Sequence, residues 1–214
     1  MSKFKAINYP SFSAKDVEIN DKTTVFQGFF KLERYQVRHK LFAGGWSDWM
    51  QRELFERGHA AAVLPYHPAS DQLVLVEQFR IGALRRAAGP WLLEIIAGMV
   101  APGESMAEVA IRESKEEAGL ILSELTPMLS YLSSPGGTTE RIQLYFATLD
   151  TLPQEGVFGL AHEHEDIRVH LVPRMQALQW LDEGLIDNAA TVIALQWLAL
   201  HYEQLFADSQ GSSE

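Results

Sequence analysis

The stretch that most constrains this chain is Gly98-Met-Val-Ala-Pro-Gly103-Glu104-Ser105-Met-Ala-Glu108-Val-Ala-Ile-Arg112-Glu113-Ser114-Lys115-Glu116-Glu117-Ala118-Gly119-Leu120. Ser105 followed three residues later by Glu108 makes a capping box, and Gly119 suits the position just past a helix end. The spacing predicts about three and a half turns of helix between them. Projected at roughly 100° per residue, Ala107, Ala110, Ser114 and Ala118 form a small-residue face fit for close packing on a sheet. Glu113 and Glu117, one turn apart, fall at its edge beside Met106, and Glu116 lies one step further round. Glu108 and Arg112 are expected to pair at i,i+4 on the outer side.

Three carboxylates on one side of a helix repel one another, and the burden grows near a packed face, where charges need partners. A bound divalent cation removes the conflict. Oxygen-only ligands point to a hard ion, Mg²⁺ or Mn²⁺, rather than Zn²⁺. A generic Glu-rich helix is more often a solvated acidic face, but here the spacing overrides that reading. Seven identities stand in the pattern Gly-x5-Glu-x7-Arg-Glu-x2-Glu-Glu-x-Gly, and a chance match is on the order of one in a million.

Composition narrows the partners. With 214 residues, 47% of them hydrophobic, the chain can build one compact domain or a core domain with a smaller appendage. The formal charge of −10 leaves no basic face for a nucleic-acid backbone. Arg85-Arg86 reads as a solvated loop. A small anionic ligand held by a few Arg residues and a metal remains open. No apolar run reaches the roughly 18–20 residues that span a bilayer, and the start, Met1-Ser2-Lys3-Phe4-Lys5, leads into polar sequence. Cys is absent, which rules out disulfides and thiol catalysis and suits a cytoplasmic setting.

Along the chain, Val17 to Phe42 alternates and is rich in Phe, Tyr and Val, predicting two or three strands before a turn at Gly44-Gly45. This first quarter is too small to stand alone and is expected to lean on a second subunit. Ala60–Pro65 and Leu73–Arg80 flank the turn residues His67 to Asp71, a hairpin signal. Further strands are expected at Leu92–Ala97, Met128–Ser133, Ile142–Thr148 and Ile167–Val172. Arg174–Glu183 and Ala189–Phe206 read as closing helices, with Asp187 and Asn188 as candidate caps and Trp180, Trp197 and Tyr202 as packing residues. The expected fold is α/β or α+β, a mixed sheet sandwiched by helices. The expected boundaries are an N-terminal antiparallel β-domain over 1–57, a second domain over 58–207 and a tail over 208–214.

The helical pattern resembles the Nudix box. Ser114 stands where that box usually has an aliphatic residue or Ala, and its small size suits the packed face. Over nearly its full length the chain is similar to the bacterial ADP-ribose pyrophosphatases. The likeness is carried by Gly28-Phe29-Phe30, Arg52 to Ala60, Glu77-Gln78-Phe79-Arg80, Trp91-Leu92-Leu93-Glu94, Ser134-Pro135-Gly136-Gly137, Gly159 to Val169 and Asp187-Asn188-Ala189, with Pro135 marking the subgroup. The resemblance implies a Nudix fold and a homodimer with exchanged N-terminal strands. It also implies Mg²⁺-dependent cleavage of a nucleoside diphosphate sugar, ADP-ribose, to AMP and ribose 5-phosphate. It assigns metal contacts to the Ala97 carbonyl, Glu113, Glu117 and Glu165, with Glu116 as a nearby contributor. The base falls at Glu163, flanked by the rival candidates His162 and His164. Adenine is expected on Phe29 with Phe30 adjacent. Arg52, Arg57 and Arg80 are the cations for the diphosphate, and Arg52 and Glu53 are expected to come from the dimer partner. Met99, Ser134, Gly136 and Glu140 are expected along the terminal ribose. Other nucleoside diphosphate sugars such as GDP-mannose, an RNA 5′-pyrophosphohydrolase and a non-catalytic ADP-ribose sensor are the alternatives. The complete set of box carboxylates argues against the sensor, and the acidic charge against RNA.

Overall fold

The computed structural model describes residues 9–207, so the expected tail over 208–214 lies outside the described residues. By contact the chain divides into two compact units. One runs to Arg57 and takes in Ser134–Glu140; the other runs from Gly58 to Ser133 and resumes at Arg141.

In the first unit β1 (Val17–Gln27), β2 (Lys31–His39) and β3 (Met50–Glu56) form an antiparallel sheet with β2 in the middle. Lys22 on β1 reaches Glu33 on β2 at 2.8 Å, and the Tyr35 hydroxyl donates to the same carboxylate at 2.9 Å. The Arg38 guanidinium lies 4.9 Å and 4.8 Å from the ring centres of Trp46 and Trp49. The sheet covers little of its own apolar surface: Ile19, Val25, Phe26 and Phe29 are all exposed. Ser134–Glu140 joins this unit through bonds its sequence does not announce. Phe55 N–H donates to the Gly137 carbonyl at 2.8 Å, Thr139 donates to Glu56, and Arg57 pairs with Glu140 at 3.0 Å.

The second unit follows the order β4 (Ala60–His67), β5 (Gln72–Phe79), β6 (Trp91–Glu94), β7 (Ile96–Met99), α1 (Met106–Ala118), β8 (Thr126–Leu132), β9 (Arg141–Thr148), β10 (Gly156–Phe158), β11 (Ile167–Pro173), α2 (Arg174–Asp182) and α3 (Ala189–Phe206). Its mixed sheet runs β10-β11-β5-β4-β9-β8, with β6 on β5 and β7 on β4. Only the β4–β9 pairing is parallel among the described strands. The expected single strand over Leu92–Ala97 is in fact two. The chain crosses from β5 to β4 at Ile95, whose N–H donates to Thr191 Oγ1 at 2.9 Å, and the second piece extends beyond Gly98 to Met99. The three-residue β10 carried too little apolar pattern to be anticipated.

Period-2 alternation divides the core between the two faces of this sheet. Ala61, Val63, Val74, Val76 and Ile96 pack with Val109, Ala110 and Ala118 of α1. Ala62, Leu64, Tyr66, Leu73 and Leu75 pack with Ala194, Leu195 and Leu198 of α3, joined by the partly buried Trp180, Trp197 and Tyr202. The sheet is therefore sandwiched by helices, as expected. The cap of α3 is Asn188, whose side chain accepts from Thr191 N–H at 3.1 Å and donates to the Leu93 carbonyl at 2.8 Å. Asp187 is not the cap. It is committed to Arg86 at 2.7 Å, so the Arg85-Arg86 loop is tied down rather than merely solvated.

Candidate active site

Helix α1 begins where Ser105 Oγ accepts from Glu108 N–H at 3.3 Å while Ser105 N–H donates to Glu108 Oε2 at 2.8 Å. That reciprocal cap occupies the Glu108 carboxylate and holds it below the usual carboxylate range. The expected Glu108–Arg112 pair therefore does not form. Arg112 turns the other way and gathers Glu104 (2.8 Å), Glu113 (2.8 Å) and Glu116 (3.0 Å) around one guanidinium. Ser114, fully buried, returns its hydroxyl to the Ala110 carbonyl at 2.7 Å, so its departure from the box leaves no unsatisfied group.

The box carboxylates are inward. Glu117 is 2% exposed, and its carboxylate accepts from Ala97 N–H at 3.2 Å. Burial, reinforced by Glu113, pushes its carboxyl up to about 8. Glu113 is also raised, mainly by burial, with the Arg112 charge opposing. Glu165 bears electrostatically on both and accepts from Leu160 N–H at 3.0 Å. The Glu113 carboxylate lies against Gly98, in the space a Cβ there would occupy, so any larger residue displaces it. Gly159, at φ +100°, is likewise pressed against Glu165, and its N–H donates to the Glu116 carbonyl at 3.3 Å. Buried, mutually repelling, oxygen-only donors held beside a backbone strand fit a hard divalent cation. No three acidic or His side chains already converge as a ready ligand set among the described residues. Glu113 and Glu116 face Arg112, and Glu117 faces a backbone amide.

Arg80 sits just past β5 and is held by Glu94 of β6 at 2.8 Å. Glu94 is itself raised by burial, with Arg80 opposing, and Arg80 also favours the charged form of Glu117. In the sequence Glu94 stands out only as part of the Trp91-Leu92-Leu93-Glu94 segment. Its role emerges from strand pairing, which places it opposite Val76 and so on the α1 side. Met99 is partly exposed at the end of β7. Glu163 stands on an exposed turn, 3.6 Å from His162, and His164 closes that turn with φ +59°.

The remaining expected residues lie in the first unit. Phe29 is 85% exposed and meets Phe30 edge-on, with ring centres 4.7 Å apart. Phe30 packs against Phe55 and lies under the Arg57 guanidinium at 5.5 Å. Arg57 and Glu140, read separately as diphosphate and ribose contacts, form an ion pair with each other. Arg52 and Glu53 are neighbours on β3, with Arg52 opposite Tyr35 and Glu53 opposite Arg34 on β2. Ser134 accepts from Gly137 and Thr138 through its carbonyl, forming the turn that contains Pro135 and Gly136.

Residues 56–195 match the family model described as a NUDIX domain. The chain belongs to the Nudix family. It is 53% identical over 202 residues to the ADP-ribose pyrophosphatase of Escherichia coli, covering 94% of this chain and 97% of that one. It is 52% identical over 197 residues to the ADP-ribose pyrophosphatase of Haemophilus influenzae, covering 91% of each. A GDP-mannose pyrophosphatase from Cronobacter sakazakii is 36% identical over 166 residues, covering 77% of this chain and 80% of that one. The crystal structure of an ADP compounds hydrolase superposes with a TM-score of 0.66 at 23% identity, covering 95% of this chain and all of that one, and shows the shared fold. The chain is accordingly a divalent-metal-dependent hydrolase of pyrophosphate bonds. No helix among the described residues is long and apolar enough to cross a membrane.

Proposed function

We propose that this protein hydrolyses the diphosphate of ADP-ribose to AMP and ribose 5-phosphate, with Mg²⁺, or alternatively Mn²⁺, as the ion. The observation that carries the chemistry is Glu117: a carboxylate 2% exposed, raised to about 8, beside Glu113 and under the influence of Glu165. In this reading the Ala97 carbonyl, Glu113, Glu117 and Glu165 hold the ion, with Glu116 nearby. When bound, it neutralises charge on the diphosphate and acidifies water. Water attacks one phosphorus, the bridging P–O–P linkage breaks on the leaving side, and Glu163 accepts the proton. The exposed turn carrying Glu163 gives that carboxylate access to solvent.

Arg80, fixed by Glu94, is the cation assigned to the diphosphate, since a guanidinium fork matches two phosphate oxygens. Phe29, 85% exposed, is assigned to adenine, with Phe30 beside it. Arg52, Glu53, Arg57, Met99, Ser134, Pro135, Gly136 and Glu140 keep their proposed substrate roles; for Arg57 and Glu140 this means exchanging their mutual ion pair for ligand contacts. A homodimer with exchanged N-terminal strands belongs to the same reading. It is supported by the exposed Ile19, Val25 and Phe26 of β1, because a three-stranded sheet needs a covered apolar face to be stable. A cytoplasmic setting is also part of it and follows the Cys-free composition.

The test is product identification from ADP-ribose with Mg²⁺, run beside GDP-mannose. AMP and ribose 5-phosphate in equal amounts are expected. Faster turnover of GDP-mannose would move the chain to the second substrate class, which the 36% identical relative makes the specific rival. Tight ADP-ribose binding without AMP release would instead point to a sensor.

A further inference from the structure

Gln78 carries a buried donor that no described residue uses. The residue is 7% exposed, and its side-chain Nε2 is buried without a hydrogen-bond partner among the described residues. Leaving such a group unpaired is costly, and native structures rarely do so without a ligand or water to complete it.

Its position follows from the pleat. On β5, Leu73 and Leu75 face the α3 side, while Val74 and Val76 face α1. Gln78 continues the even-numbered series onto the α1 side. On β6 it stands opposite Leu92, which makes Glu94, the partner of Val76, its diagonal neighbour on that face. On β11, Ile167 adjoins Arg168, the partner of Glu77, and is buried in the α1-side core. Two residues beyond Gln78 comes Arg80, which grips Glu94 and bears on Glu117. Gln78 therefore lies on the α1 side of the sheet, in the same row as Arg80 and diagonal to Glu94.

The chemistry of that row decides what the amide is for. The acceptor beside it, Glu94, is turned to Arg80, and the Glu117 carboxylate, on which Arg80 bears, accepts from the Ala97 amide. A further cation here would be captured by one of these carboxylates; a neutral donor is not. We propose that Gln78 is a substrate-orienting residue, its Nε2 donating to a non-bridging oxygen of the bound diphosphate beside Arg80. The assignment rests on the nucleoside diphosphate reading above, but not on which sugar or base is attached.

The test compares wild type with Gln78→Met and Gln78→Glu. Thermal midpoints are measured in chelator, affinity for α,β-methylene ADP-ribose in Mg²⁺ by titration calorimetry, and kcat and KM on ADP-ribose. Met replaces an unpaired donor by an apolar side chain of similar length, so the metal-free midpoint should hold or rise, while affinity falls about tenfold or more. Glu keeps the shape but offers only acceptors, and should bind the analogue more weakly still. A Met variant with a lowered metal-free midpoint and affinity within about twofold of wild type would show Gln78 to be structural and overturn the assignment. Wild-type protein that cleaves GDP-mannose instead of ADP-ribose would displace the substrate reading alone. The variants are then read on GDP-mannose, where loss of affinity upholds the role of Gln78 and retained affinity overturns it.

Discussion

Glu117→Gln separates the cost of the buried carboxylate from everything else that titrates. In the metal-free protein the Glu117 carboxyl moves from an ordinary 4.5 to about 8. A raised acid binds more protons folded than unfolded between those values, so its contribution to stability falls as pH rises from 4.5 through 8. At about 1.36 kcal/mol per unit, the full displacement corresponds to about 5 kcal/mol once Glu117 is ionised. Gln is nearly isosteric and its carbonyl still accepts from Ala97 N–H, so the variant removes the charge and keeps the contact. For a chain of this size about 2–4 °C accompanies each kcal/mol. In chelator, the midpoint of the variant should exceed wild type by about 10 °C or more above pH 8, and the two should converge near pH 4.5. Carboxylates held low, such as Glu104 and Glu108, act below that window and cancel in the difference. Differential scanning calorimetry across the range reads the effect, and added Mg²⁺ should reverse the order by stabilising wild type alone. A wild-type-to-variant difference that stays constant with pH would refute the reasoning, because the buried charge would then cost nothing.

Three further outcomes follow from the same geometry. Gly98→Ala places a methyl group where the Glu113 carboxylate lies, so metal-dependent turnover should fall at least a hundredfold, about 3 kcal/mol of lost stabilisation, with Mg²⁺ titration showing weaker binding. Arg112→Lys exchanges a fork holding three carboxylates for a point charge. It should raise the Mg²⁺ concentration needed for half-maximal activity about tenfold, an effect of about 1.4 kcal/mol. Asn188→Ala removes both the α3 cap and the bond to Leu93. Denaturant melts should show a loss of about 1–2 kcal/mol, while kcat of the folded enzyme stays at the wild-type level.

What could be read in advance was whatever the local spacing determines. The ends of α1 follow from the Ser105–Glu108 capping box and Gly119, and 3.6-residue periodicity puts Glu113 and Glu117 at the edge of its packed face; the structure has those ends and buries both carboxylates. Pairings between distant segments were not legible. Asp187 looks like a cap until Arg86, far earlier in the chain, claims it. Nothing in the sequence links Arg57 to Glu140, which pair once the Ser134–Glu140 turn joins the first sheet. The Arg112 pairing is hidden for a subtler reason: Glu108 and Glu116 both stand at permissible helical spacing, and the cap takes Glu108. The division of Leu92–Ala97 into β6 and β7 was hidden because an apolar run does not reveal which neighbour each half will pair with.

That division is also what makes the site. By leaving β5 for β4 at Ile95, the chain brings Glu94, Ile96 and Gly98 in succession onto the α1 side. Glu94 then meets Arg80, Ile96 fills the core under α1, and Gly98 leaves room for Glu113. Arg80 and Arg112, the guanidiniums paired on this face, are already shared among Glu94, Glu104, Glu113 and Glu116. Glu117, more deeply buried than any of these carboxylates, accepts a backbone N–H and, among the described residues, forms no ion pair of its own, Arg80 bearing on it only electrostatically. Arg112 thus quiets the carboxylates at the rim, and the charge left uncompensated lies at the centre, where a divalent ion has most to gain by binding.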